Sequence, residues 1–295
     1  MNQLLKNNAL KTSVFTALAL IAFAANSVLA RMALGDGTID AAGFTVIRLL
    51  SGAVVLLAIS SISRRKSDKT KITKARKPAA GSWFGALMLF AYAVCFSFAY
   101  ISLDTATGAL ILFGAVQITM IVVSLIKGNR PGVGEWAGLV LAFGGFVFLI
   151  LPGISTPSAV GFALMGLSGI AWGFYTLQGR GSDNPLADTT HNFVRTVPMI
   201  AIVALISMAS ARYSLQGIVL GVLSGGIASG IGYSLWYSAL GGLSTTQAAV
   251  LQLLVPVIAA LGGVVFVSET ITIRLVISAA LILSGILLVV LSRRR

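Results

Sequence analysis

Long stretches of apolar residues, nearly free of charge, alternate with short polar breaks from one end of this chain to the other. Crossing the hydrocarbon of a bilayer takes about 20 apolar residues in a helix. By that measure the pattern predicts ten spans: 13–34, 41–62, 81–103, 105–126, 133–151, 158–179, 190–210, 217–240, 244–267 and 271–291. Most breaks are too short to hold a soluble domain. The longest, residues 63–77, reads SRRKSDKTKITKARK, with Arg64, Arg65, Lys66, Lys69, Lys71, Lys74, Arg76 and Lys77 against the single acid Asp68. A basic run wedged between two lipid-soluble stretches reads as a cytoplasmic loop under the positive-inside rule.

Composition sharpens that picture. The 295 residues are 57% hydrophobic and 10% charged, with a mean hydropathy of +0.96. A soluble domain cannot hide so much apolar surface. The formal charge of +13 resembles that of a nucleic-acid binder, yet it resides in loops and tails rather than on one helical face, so no nucleic-acid partner is expected. With ten spans and both termini cytoplasmic, sixteen of the 21 basic residues fall inside. Only Arg31, Arg212 and Arg274 fall outside, and Arg48 and Arg195 lie within spans. This orientation suits a multi-pass membrane protein with both termini in the cytoplasm. One cysteine, Cys95, rules out an internal disulfide and a multi-thiolate metal site.

The first span admits a second reading. Lys6 and Lys11 precede an apolar run ending Val28-Leu29-Ala30, which resembles a signal-peptidase site. An internal repeat needs the segment as a helix. FAANSVLARMA (23–33) lies over IAWGFYTLQGR (170–180) at an offset of 147, and the same offset matches Arg48 to Arg195. The period is five spans, an odd number, so the second half (152–295) enters the membrane from the side opposite the first (1–151). The expected fold is therefore all-α, ten transmembrane helices as two inverted five-helix repeats. Such a layout places a substrate site near the midplane between the halves.

Ten helices as five plus five, an arginine early in the second and seventh spans, and TTQAAVLQLLVPVIAALGGVVFVSETIT (245–272) together resemble the drug/metabolite transporter superfamily, EamA type. The last stretch carries that family's mid-helix proline, Pro256, and its glutamate at the helix exit, Glu269. The first half departs from the pattern, with Gln117 at the place of Pro256 and Arg130 at that of Glu269. Overall similarity is to the bacterial inner-membrane exporters of aromatic and other neutral amino acids. The resemblance implies a small-molecule substrate, no cofactor and no enzymatic activity.

Polar groups deep in spans are the first candidates for a substrate path, because they are costly against lipid and useful beside a cavity. Asn26, Gln117 and Gln252 fall near the midplane. Their amides can hydrogen-bond an ammonium or a carboxylate, or serve as interhelical glue. Tyr92, Trp172 and Tyr233 are deep aromatics that suit an apolar or aromatic ligand, or plain packing. Trp83 and Trp136 sit at span ends as interfacial anchors. Arg48 and Arg195, each several residues inside a span, can snorkel to satisfy helix-end carbonyls, or act as a gate or a carboxylate anchor. Pro256 and Pro198 predict kinks or hinges. Glycines 134 and 138 with Ala142, and Gly169 with Gly173, predict close helix contacts.

No HExxH, Walker loop or Cys/His cluster is present, and no metal ligand set is expected. All eight acids lie in loops or at span ends. Proton-coupled export of organic cations ordinarily needs an intramembrane carboxylate, so facilitated diffusion is expected. The competing expectations are a carrier of another small metabolite or drug, and a non-transporting receptor or assembly subunit.

Overall fold

Within lipid every backbone N–H and C=O must find a partner inside the protein, which leaves an apolar chain with helices. The computed structural model describes residues 2–69, 81–128, 132–151, 157–179, 182–243, 248 and 251–292. Among them the secondary structure is helical apart from one isolated bridge, Ile39 to Tyr213, between two loops. Lys71, Lys74, Arg76, Lys77, Arg130, Arg180 and the three final arginines lie outside the described residues, as do five of the six residues 245–250.

Helices are numbered in chain order: α1 (Asn2–Gly35), α2 (Ala41–Lys69), α3 (Trp83–Ala99), α4 (Thr105–Ile126), α5 (Val133–Ile150), α6 (Ala159–Gly179), α7 (Pro185–Arg195), α8 (Val197–Ser207), α9 (Leu215–Val222), α10 (Gly232–Leu240), α11 (Leu254–Val267) and α12 (Ile273–Ser292). Seven continuous or near-continuous helical stretches are long and apolar enough to cross a membrane, and α3, α5 and α11 are shorter apolar helices, making ten in all. Outward faces expose Phe143, Ile206, Val265 and Ile273, as a lipid-facing surface requires. Trp83 and Trp136, in the first turns of α3 and α5, are exposed as well.

Three departures from the expected spans have local causes. First, α2 continues past residue 62 into the basic run as far as Lys69, since Arg and Lys are good helix formers once the chain has left the lipid. Second, the seventh span begins earlier, at Pro185, and breaks at Thr196 between α7 and α8. Pro198 follows by two residues and has no N–H to return to the preceding turn. A similar break at Leu253 precedes Pro256, in the third position of α11. Third, the eighth span is not one α-helix: Leu223–Ile231, joining α9 to α10, is wound as a π-helix. The glycine-rich sequence there lowers the cost of the wider turn, and π-segments recur at functional sites.

Pairing sets the architecture. The first helix packs on α10 and α11, and α6 packs on α3 and α4. The second helix packs against α7, α8, α9 and the π-segment, while α5 packs on α12. The predicted small-residue faces are where backbones meet. A Cβ on Gly138 would lie 2.5 Å from the Gly285 carbonyl, and one on Gly285 would lie 2.6 Å from the Gly138 carbonyl. Only glycine permits that approach between α5 and α12.

Candidate functional site

Helices α1, α3, α4, α6 and α10 converge around a cavity of about 20 Å³, with Gln252 completing its wall. Its lining includes Asn26, Tyr92, Trp172, Tyr233 and Gln252, five of the six residues expected to bind substrate. Gln117 is not in that wall. It lies one turn beyond Phe113, a lining residue, and is buried with its amide nitrogen unpartnered. Phe23, Phe96, Leu112 and Phe113 complete the enclosure and were not singled out by polarity or depth. A volume of that size holds about one water.

Trp172 is the hub. Its ring stacks on Tyr175 at 5.1 Å and on Tyr233 at 5.2 Å, with Tyr92 at 4.8 Å. Phe23 of α1 joins through Tyr233 and Trp236, both at 5.8 Å. Each such pair contributes about 0.5–1.5 kcal/mol beyond area burial, so the cluster couples α1, α3, α6 and α10 mechanically.

Asn26 is more committed than its sequence position suggests. Its amide donates to the Ser229 hydroxyl at 3.0 Å and its oxygen accepts from Ser224 at 2.6 Å. Both serines lie in the π-segment, so the residue that lines the cavity also ties α1 to the irregular span. Nothing in the sequence placed Ser224 opposite Asn26.

On one side the cavity adjoins a vestibule of about 480 Å³, with which it shares Phe23, Trp172, Tyr233 and Gln252. The vestibule continues past Tyr175, Thr176, Tyr237 and Leu240 to Ser182 and Pro185, at the end of the bundle where α6 and α10 finish and α7 begins. That volume falls within the range of small-molecule sites. Near this end Tyr175 donates to the Thr189 hydroxyl at 3.3 Å, and Thr189 bonds Tyr237 at 3.1 Å.

The opposite end is held by a carboxylate. Glu269, next to left-handed Ser268, accepts from the Thr105 backbone N–H at 2.9 and 3.0 Å, from the Thr105 hydroxyl at 3.1 Å and from Arg31 Nε at 3.2 Å. Asp104 lies 3.6 Å from the same guanidinium. Glu269 thus satisfies an orphan N–H at the start of α4 and joins it to α1. A second cavity of about 300 Å³ lies at this end, lined in part by Asp104 and Glu269, and shares no lining residue with the central one.

The paired arginines have different fates. Arg195 ends α7, half-buried, with its guanidinium 5.8 Å from the Trp83 ring. Arg48 does not snorkel to a surface or a helix end. It is 1% exposed, donates to the Tyr92 hydroxyl at 2.6 Å and lies over the rings of Phe96 and Tyr92 at 4.4 and 5.0 Å. The π-segment closes over it: a Cβ on Gly225 would overlap the Arg48 carbonyl oxygen.

Comparison with known proteins gives the class to which this bundle belongs. The EamA-like transporter family matches residues 10–151 and again 159–291, so the chain belongs to that family and is a multi-pass membrane protein. Among particular relatives, it is 46% identical to an uncharacterized protein of Pseudomonas aeruginosa over 283 residues, 96% of both chains. It is 26% identical over 206 residues to an uncharacterized transporter of Archaeoglobus fulgidus, covering 68% of this chain and 74% of that one. One solved crystal structure shares the fold, with a TM-score of 0.58 and 19% identity over 94% of this chain and 97% of the other.

Proposed function

We propose that this chain is an inner-membrane carrier, exporting neutral amino acids including aromatic ones by alternating access and facilitated diffusion. The observation that carries the reading is a cavity walled by aromatic rings and amides, adjoining a vestibule at one end of the bundle and sharing no wall with the cavity at the other. Aromatic walls complement an apolar side chain, and Gln252, reached from the vestibule, offers both donor and acceptor.

Rocking requires two halves related by inverted symmetry, here 1–151 and 152–295. The pairing supports it: α1 contacts the eighth and ninth spans as α6, its counterpart, contacts the third and fourth. The charge distribution supports placing both termini and the vestibule mouth in the cytoplasm, and Glu269 at the periplasmic face. An exporter open at its vestibule is then ready to load from inside.

The test is flux from proteoliposomes holding the purified chain, across a panel of neutral amino acids and organic cations. Saturable efflux of phenylalanine or leucine, and its loss in Trp172→Ala protein of normal folded yield, is expected. Equal flux in empty liposomes across the panel rejects a carrier. Flux confined to compounds other than amino acids rejects the substrate.

A further inference from the structure

Arg48 is a buried cation without a counter-ion. Ion pairs among the described residues join Arg31 to Asp104 and Glu269, and none involves Arg48. One guanidinium nitrogen donates to Tyr92, while the other, Nη1, is buried with no partner. An arginine cannot shed its proton to relieve such a position, as a lysine or histidine can. Two aromatic faces offset part of the desolvation, yet an unpaired buried charge remains costly, and removing its one acceptor would leave it costlier.

The two rings that carry this guanidinium, Tyr92 and Phe96, are also walls of the central cavity. The cation and the space where a substrate would rest therefore share these two rings. The polar groups of the lining residues, the amides of Asn26 and Gln252, the hydroxyls of Tyr92 and Tyr233 and the Trp172 indole N–H, are neutral, and no acid lines the cavity. No charged side chain lines the cavity, and Arg48 stands against two of its walls.

From this juxtaposition we infer that Arg48 recognises a carboxylate, so that the ligands of this cavity are carboxylate-bearing molecules with an apolar, aromatic-sized body, and organic amines lacking the carboxylate are rejected. Rotation of Tyr92 presents Nη1 and Nη2 as a fork to two carboxylate oxygens, the strongest pairing available to a guanidinium. The apolar body extends along Trp172 and Tyr233 into the adjoining vestibule of about 480 Å³, which both residues also line. An amine in the same place meets a like charge at low dielectric. The inference rests on the reading of this cavity as a substrate site, but it concerns binding and makes no demand on turnover.

Purified full-length chain in detergent is titrated with phenylalanine, 3-phenylpropionate and 3-phenylpropylamine, which share a ring and differ in charged groups, and thermal stabilisation is followed. Both carboxylates should stabilise saturably and the amine should not. Arg48→Met should weaken both carboxylates at least tenfold, and Arg48→Lys, which keeps the charge and loses the fork, should weaken them less. Binding of the amine as tight as that of the carboxylates overturns the inference, and so does the lack of saturable binding by either carboxylate. Undiminished carboxylate binding in folded Arg48→Met protein overturns it as well. The ligand comparison on unmodified protein needs no variant to fold. Carboxylate binding together with no amino-acid flux rejects the proposed transport function and leaves this recognition standing.

Discussion

The two ends of the bundle are held by different chemistry. At one, a single carboxylate draws together the start of α4 and the end of α1: Glu269 takes bonds from Thr105 and Arg31 across more than 160 residues of chain. At the other, neutral hydroxyls link Tyr175, Thr189 and Tyr237 at the side of an open vestibule. Charge-assisted bonds contribute about 1.5–3 kcal/mol each and neutral ones about 0.5–1.5. A carrier whose two states differ little in energy must break one set while forming another. On the alternating-access reading proposed above, opening at the Glu269 end is the harder step.

Breaking the clamp should give the largest effect. Glu269→Ala removes the acceptor of several charge-assisted bonds, so the balance between states should move by about a hundredfold, from about 3 kcal/mol. The report is thiol labelling of Leu112→Cys, a cavity-lining position, in a Cys95→Ser background. An impermeant maleimide should reach it from one side of the membrane only, and from both sides once Glu269→Ala is added. Labelling unchanged by the added substitution would mean that Glu269 caps a helix and gates nothing.

Between the ends lies the contact about which they would move. Gly225 of the π-segment sits on the Arg48 carbonyl, so Gly225→Ala should lower stability by about 1–3 kcal/mol through overpacking. Its neighbour Gly226 has more room, a Cβ there meeting Val55 at 3.2 Å, and Gly226→Ala should cost distinctly less. Melting temperatures of the two variants compare them directly, and equal losses would contradict the close approach at Gly225.

How much of this was legible in the chain depended on whether a feature is local. Span positions, the helix-contact glycines and the depth of Asn26, Tyr92, Trp172, Tyr233 and Gln252 follow from counting along a helix, and the fold places those five in one wall. Gln117 shows the limit. Its depth was readable, but a displacement of one turn, about 5.4 Å along the helix, decides whether an amide lies beside a cavity or past its wall. The partnership of Asn26 with Ser224 joins residues 198 positions apart. For Arg48 it is the snorkelling alternative alone that fails, because the packing of α2 against α3 and the π-segment closes that usual escape of an arginine a few residues inside a span. Glu269 was visible as a helix-exit residue, but its partners belong to the other half of the sequence.

Loosening the open end should matter less than breaking the clamp. Thr189→Val removes the hydroxyl between Tyr175 and Tyr237, two neutral bonds together amounting to about 1–3 kcal/mol at most. A drop of a few degrees in melting temperature and a change in flux well under tenfold are expected. A loss of transport equal to that of Glu269→Ala would erase the distinction between the ends.

The smallest expected effect is none at all, and it tests what the clamp is for. Among the acids with described side chains, Asp36, Asp40, Asp104, Glu135, Asp183, Asp188 and Glu269, each lies in a loop or at a helix end, and no acid lines the central cavity. A proton carried across with substrate needs a group that alternates between the two sides and changes charge as it goes. A zwitterion moves no net charge, so voltage should matter as little as pH. In liposomes with substrate equal on both sides, a pH step should therefore drive no accumulation in either direction. Glu269 bridges α1 and α4 beside the cavity at its end of the bundle, so it is where an exception would arise. Accumulation that follows the pH step, and disappears in Glu269→Gln protein that still exchanges substrate, would turn the clamp from a latch into a coupling site.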